Sequence, residues 1–228
     1  MPDMKQTIAR RAALELKDGL IINLGIGLPT FVANYVPQGA HVVIHSENGA
    51  IGVGPAPAAF CDDLDRCNAG GAPITLNCGG SYFDSATSFS MIRGGHVDMT
   101  FLGTLQVDGE GNIASYEIPG KLVVGMGGAM DLLAGAKVVN VVTEHCSKDG
   151  KPKLVKRCTF PLTGAGEADV IITDRALFRR YPDRAGFVLE EVARGYTLDD
   201  IAACTEMEYT VSEKVKMEAF GPAPEVSA

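Results

Sequence analysis

Tryptophan is absent from this sequence, and none of its six cysteines forms a Cys-x-x-Cys pair. The missing cysteine spacing removes the usual signature of a zinc ribbon or a thioredoxin-type redox motif. Positive charge is in the minority. Against 28 acidic residues stand 20 Lys and Arg, a formal charge of −8. That balance argues against nucleic acid as the main partner, although a local basic patch can still hold a phosphorylated cofactor. Long apolar runs are missing too. The most apolar stretch, Leu122 to Val142, is broken by Asp131, Lys137 and four glycines, so no membrane span is expected. The opening Met1-Pro2-Asp3-Met4-Lys5-Gln6 lacks the charged-then-apolar pattern of a secretory signal. A cytoplasmic chain with reduced thiols is the expectation.

Glycine is what the sequence has in quantity, 27 of 228 residues, beside 46% hydrophobic and 21% charged residues. This is the composition of a globular protein with many tight turns. No linker divides the chain, so one domain is expected over residues 1–228. A proline-containing tail is expected to fray from about residue 218.

Ile8, Ala12 and Leu16, with Ala9 and Ala13 beside them, predict a helix over residues 4–17 that Gly19 ends. The apolar run Leu20 to Leu24 then opens into Gly25-Ile26-Gly27-Leu28-Pro29, where Pro29 suits the first turn of a helix over Thr30 to Val36. Further strands are predicted at 41–45, 74–77, 97–102, 121–124, 137–143 and 169–173, several uniformly apolar, as in strands covered on both faces. Helices are predicted at Ser85 to Arg93, at Asp131 to Leu133 and after the N-cap Thr197. Asp108-Gly109 and Asp149-Gly150 have hairpin-turn chemistry. The fold class is therefore α/β: an open, mainly parallel but mixed sheet with helices on both faces.

In such a sheet, ligands sit outside the carboxyl ends of the strands. Glu47 follows the apolar run Val42-Val43-Ile44 directly, in His45-Ser46-Glu47-Asn48-Gly49. Asn48-Gly49 allows a sharp turn that holds the carboxylate out at the sheet edge, and Gly52 and Gly54 leave room for another molecule to approach the backbone. A carboxylate needs no helper base to attack an activated acyl group, because its reference pKa is about 4.3. An ordinary solvated turn glutamate fits the same pattern. A second glycine cluster, Gly125-Met126-Gly127-Gly128, can aim backbone amides at a developing oxyanion or can serve close helix packing. Gly25 and Gly27 give only part of a dinucleotide fingerprint, since Thr30 stands at its third glycine. A loop lining a pantetheine-bearing ligand fits better. His41 and His45, four apart on a predicted strand, are read as core or edge histidines rather than zinc ligands, and no metal is expected.

Several ordered motifs together resemble the β subunit of family I coenzyme A transferases of the 3-oxoacid type. They are Asn23-Leu24-Gly25-Ile26-Gly27-Leu28-Pro29, Ser46-Glu47-Asn48-Gly49, Ser88 through Asp98, Ile118-Pro119-Gly120-Lys121, Gly125 through Leu132, and Pro161-Leu162-Thr163-Gly164. The resemblance spans about Ile21 to Val211. It implies Glu47 as covalent nucleophile and the Gly128 amide as oxyanion donor, with Asn48, Gly25, Gly27 and Gly127 about the coenzyme. It further implies a ping-pong exchange through a glutamyl-CoA thioester, with CoA as substrate and no permanently bound cofactor. An α subunit is implied as partner, in an α2β2 heterotetramer. The chain departs from the family at Ser115-Tyr116-Glu117, where many relatives carry tryptophan. It departs again at Cys146, where small or hydroxyl residues are usual. The rival readings are a thioester hydrolase or sugar-phosphate isomerase on a related fold, and a non-catalytic CoA-binding subunit.

Overall fold

The computed structural model describes residues 4–58, 61, 63 and 65–221. Its largest sheet has ten strands: β1 (Ile21–Leu24), β2 (Val43–Ser46), β3 (Ala50–Val53), β4 (Leu76–Tyr82), β5 (Met99–Leu102), β10 (Val138–Val142), β12 (Val170–Ile172), β13 (Ala176–Arg180), β14 (Phe187–Val192) and β15 (Tyr209–Lys216). Between β5 and β12 the chain also forms the short strands β6 (Gln106–Asp108), β7 (Ile113–Ala114), β8 (Glu117–Ile118), β9 (Leu122–Val123) and β11 (Leu154–Val155). The order across the large sheet is β15-β14-β13-β12-β10-β5-β1-β2-β3-β4. Its middle, β12-β10-β5-β1-β2, is parallel throughout. Antiparallel pairs flank it, β2–β3 and β3–β4 on one side and β12–β13 and β13–β14 on the other. The mixed sheet is thus as expected.

Helices cover both faces. Along β12, Val170 and Ile172 join the core of Ile8, Ile22 and Phe101, under helix α1 (Met4–Ala13). Ile171 between them joins the opposite core, with Ile92 of α2 (Ser85–Arg93) and Leu132 and Leu133 of α3 (Ala129–Gly135). This is the period-two alternation of a strand buried on both sides. Among the described residues, no helix is long and apolar enough to cross a membrane.

Several expected elements shift. The first helix stops at Ala13 because the amides of Leu14, Glu15 and Leu16 turn to the carbonyls three residues back, at 3.0 to 3.1 Å. Residues Leu28–Tyr35, expected as a helix from Thr30, form a 3-10 segment with Pro29 in its first turn. The strand expected at 121–124 is outside the large sheet. Leu122–Val123 pairs only with Glu117–Ile118, as a small hairpin. Asp108-Gly109 does turn between β6 and β7. A capping box of Thr197 and Asp200 opens α4 (Leu198–Ala203). In the tail expected to fray from 218, the backbone is hydrogen-bonded as far as Phe220, since Ala219 N donates to Val192 O and Arg194 N to Phe220 O. Residues 222–228 lie outside the described residues.

Candidate active site

Glu47 stands at the carboxyl end of β2, the position where a parallel sheet presents its ligands. Its setting is a three-residue loop. β2 returns at once as β3, with Ser46 opposite Ala50, and Gly49 N donates to Ser46 O at 3.0 Å. Gly49 has φ +128°, and a Cβ there would lie 2.2 Å from Phe83 O, so only glycine fits. The turn therefore requires the residue that the sequence supplies. Gly52, expected to leave space for a ligand, serves protein packing, whereas Gly54 is packed on one side and lines a cavity on the other. A Cβ at Gly52 would meet Gly80 Cα at 2.8 Å, and one at Gly54 would meet Thr75 Oγ1 at 2.7 Å.

The Glu47 carboxylate is half-buried and has a specific donor. Asn23 Nδ2, on the neighbouring strand β1, donates to Glu47 Oε2 at 3.0 Å. The same nitrogen lies 3.2 Å from His45 O and 3.3 Å from His45 Nδ1. The other ring nitrogen, Nε2, lies 2.9 Å from Ser88 Oγ of α2. His45 is also stacked on Phe83. Burial pushes its pKa below the usual range, with the Glu47 charge opposing. A neutral, internally bonded imidazole is the result, buried behind Glu47 as part of the wall.

Gly128 meets Glu47 from the other side. A Cβ built there would lie 3.1 Å from Glu47 Cγ and 3.1 Å from the Phe89 ring. Its N–H has no protein acceptor among the described residues. The structure thus brings together the two residues singled out for catalysis, one from the β2–β3 turn and one from the loop before α3. Gly127 adjoins with φ +52° and open space above it.

The other binding residues divide. Gly27 lies in the wall of a cavity of about 600 Å³ that also reaches Ser46, Ile44, Val53 and Asn68. Gly25 is packed against the sheet, where a Cβ would meet Leu102 Cδ2 at 2.8 Å, and its amide is taken by Phe101 O. Asn48 is occupied as well. It accepts from Ser46 Oγ at 2.8 Å and donates to Cys67 O at 2.7 Å, tying the turn to the 65–74 loop. His41 lies before β2, exposed beside Asp18, and His45 is buried within β2. Asn23, Ser88 and Phe89 carried a family resemblance in sequence, but their contact with the Glu47 setting emerges only here. One signal was readable earlier: a lone amide inside the apolar run Ile21-Ile22-Asn23-Leu24 calls for a buried partner.

A carboxylate with one firm donor and a glycine backbone against its side chain can attack an acyl carbon with no proton transfer. Comparison with known proteins identifies the family. Residues 5–203 match the family profile described as coenzyme A transferase. The chain is 50% identical over 210 residues, 92% of its length and 95% of the relative's, to the beta subunit of the acetate CoA-transferase of Escherichia coli K12. It is 49% identical over 208 residues, 91% of its length and 99% of the relative's, to one subunit of the succinyl-CoA:3-ketoacid coenzyme A transferase of Helicobacter pylori 26695. Among solved structures, an acyl-CoA transferase of E. coli O157:H7 in its thioester complex with CoA aligns with TM-score 0.70 and 23% identity. That alignment covers 95% of this chain and 43% of the other. This chain belongs to the coenzyme A transferase family.

Proposed function

We propose that the chain is the β subunit of a 3-oxoacid CoA-transferase and that Glu47 is its nucleophile. The observation that carries this reading is the convergence of Asn23, Glu47 and Gly128 at the carboxyl edge of the sheet. Glu47 attacks the thioester carbon of an acyl-CoA, and the thiolate leaves, giving a mixed anhydride. The thiolate then attacks the glutamyl carbon, the anhydride bond breaks, and the first acid departs as a carboxylate. A second carboxylate runs the sequence backwards and leaves as its CoA ester. No proton is gained or lost in any step, so the absence of a free base beside Glu47 among the described residues is no handicap. Asn23 holds one carboxylate oxygen, which aims the other at the substrate. The unpaired Gly128 amide is suited to the oxyanion of each tetrahedral stage.

A thioester exchanged for a thioester is close to thermoneutral, and the remaining task is to keep water from the activated glutamate. An α subunit supplies that cover in this reading. The hairpin strand β9 exposes Leu122 at 45% and Val123 at 70%, and Val124 beyond it at 61%, on the loop that leads to Gly128. Apolar side chains in that position suit a protein partner better than water. An α2β2 assembly acting in the cytoplasm on acetoacetate-type acids completes the proposal. The chain would form one domain within it. Support comes from the relatives, which are named as subunits of acetate and 3-ketoacid transferases, and from the CoA thioester held by the aligned E. coli O157:H7 enzyme.

The test is reconstitution. Mixed with its α partner, the chain is expected to exchange CoA between acyl-CoA and short carboxylic acids with ping-pong kinetics. Glu47→Gln is expected to lose at least about 10⁴-fold in turnover while assembling normally. Near-normal turnover in that variant would sink the assignment, and steady release of free CoA without an acceptor would favour the hydrolase.

A further inference from the structure

Behind the Glu47 carboxylate a chain of polar side chains runs inward to helix α2. Asn23 and Ser88 are fully buried and His45 is 2% exposed. Each comes from a different element, β1, α2 and β2 in turn. The Asn23 amide nitrogen carries two hydrogens. One goes to Glu47 Oε2 at 3.0 Å, and the other is left to His45, whose carbonyl oxygen and ring Nδ1 lie 3.2 and 3.3 Å away. At the opposite end of the amide, Asn23 Oδ1 is buried with no protein partner among the described residues. An amide turned end for end would set that oxygen against the Glu47 carboxylate and the His45 carbonyl, acceptor against acceptor. Its orientation is therefore decided on the nitrogen side. The His45 ring is fixed at two places: its Nε2 lies 2.9 Å from Ser88 Oγ, and its face is stacked on Phe83, with centroids 6.2 Å apart and planes at 16°. A hydroxyl can donate or accept, so Ser88 serves the ring in either neutral tautomer. Ser88 is itself held in the first turn of α2, where Asp84 accepts from Thr87 N at 2.7 Å through its side chain and from Ser88 N at 3.1 Å through its carbonyl. Three polar side chains in the interior, one of them with an orphaned oxygen, cost stability that apolar residues of similar volume would not.

We propose that His45 and Ser88 are positioning residues for the transfer reaction: acting through the Asn23 amide, they keep its N–H end on Glu47 and so fix the free carboxylate oxygen against the acyl carbon. The inference rests on the reading of Glu47 as nucleophile. Neither residue touches the reacting atoms. Ser88 sets the rotation of the ring, the ring and its own carbonyl set the orientation of the amide, and the amide sets the carboxylate. The effect falls on the rate of attack and not on the binding of acyl-CoA, because a reacting group displaced by about 1 Å costs on the order of 100-fold in rate.

The experiment compares His45→Phe, His45→Gln and Ser88→Ala with the wild type, each assembled with the α partner. Phenylalanine keeps a flat ring against Phe83 and removes both nitrogens, whereas glutamine offers an acceptor and a donor again. Three quantities are read: kcat, the KM for acyl-CoA, and the single-turnover rate at which CoA becomes attached to the Glu47 peptide, followed by mass spectrometry. His45→Phe is expected to lose about 100-fold in kcat and in the attachment rate, with KM within about twofold of the wild type. Ser88→Ala is expected to lose about tenfold in both rates, and His45→Gln to return to within about tenfold of the wild type. Urea midpoints check folding, and Ser88→Ala, which removes only a hydroxyl, carries the test should the phenylalanine variant fail to fold. A ring that merely fills space predicts the reverse order, with phenylalanine tolerated at least as well as glutamine. Attachment at the wild-type rate in His45→Phe and Ser88→Ala would overturn the inference and leave Glu47 as nucleophile, while a wild-type enzyme that never acquires CoA on Glu47 would overturn both.

Discussion

At Gly128, the lack of a side chain leaves the room that Glu47 and Phe89 occupy. The backbone there has φ −84° and ψ 7°, which alanine adopts without strain, so a methyl group would act by volume alone. It would arrive 3.1 Å from Glu47 Cγ and from the Phe89 ring, and one of them must move. Gly128→Ala is expected to keep the urea midpoint of the wild type and to lose about 100-fold in kcat, as displacement of a reacting group by about 1 Å does. Unchanged kcat would mean that Glu47 has slack the geometry does not suggest. Glu47, by contrast, was visible in the sequence as a candidate, although an ordinary turn glutamate fits the same pattern, and the resemblance of Ser46-Glu47-Asn48-Gly49 to the family singled it out. Asn23 was quoted only within a motif. Its role depends on which neighbour lies across β1 and β2, and pairing between strands is not written in either strand alone.

The elements divide by how their burial is written. β12 is apolar throughout, β10 is apolar but for Asn140, and they were expected at 169–173 and 137–143, close to their observed bounds. β3 was read as part of a glycine loop because Gly52 and Gly54 interrupt it. Its register with β4 shifts at that point, and the glycines allow the close approach. β13, β14 and β15 went unread, because Arg179, Arg180, Glu190 and Glu191 break their apolar pattern. Those charges are satisfied by distant partners. Arg179 donates to Glu15 and Glu190, and Arg11 of α1 reaches Glu191, pairings that only the fold creates. At the β10–β11 loop, His145 is fully buried between Thr173 and Thr205, at 2.9 Å from each. Burial pushes its pKa down to about 4, with Asp174 opposing and Arg175 assisting. In the unfolded chain the same ring titrates near 6.5, so on acidification the unfolded state takes up the proton first and is favoured. Stability from this residue is complete above pH 6.5 and is lost as the pH falls toward 4, by on the order of 3 kcal/mol. Urea midpoints of wild type and His145→Asn across that range are expected to converge as the pH falls. Parallel curves would show that the ring takes up its proton as readily in the folded chain as in the unfolded one.

On the scale of the whole molecule, the unusual feature is apolar surface where the sequence led one to expect a buried strand. Leu122, Val123 and Val124 read as core, and the chain alone leaves them in water. A sequence records burial without saying which chain provides it, and for this segment the proposed provider is the α subunit. Val123→Glu is therefore expected to leave the isolated chain as stable as the wild type, within about 0.5 kcal/mol, and to weaken its association with the α partner at least tenfold. Sedimentation of the two-chain mixture measures this, and undiminished assembly would move the interface elsewhere. The account as a whole depends on the covalent step at Glu47, and mass spectrometry of the reconstituted enzyme tests it most directly. After incubation with an acyl-CoA and no acceptor, the peptide containing Glu47 is predicted to carry CoA, and to lose it when a carboxylic acid is added. Turnover by an enzyme on which no such adduct ever forms would contradict the mechanism.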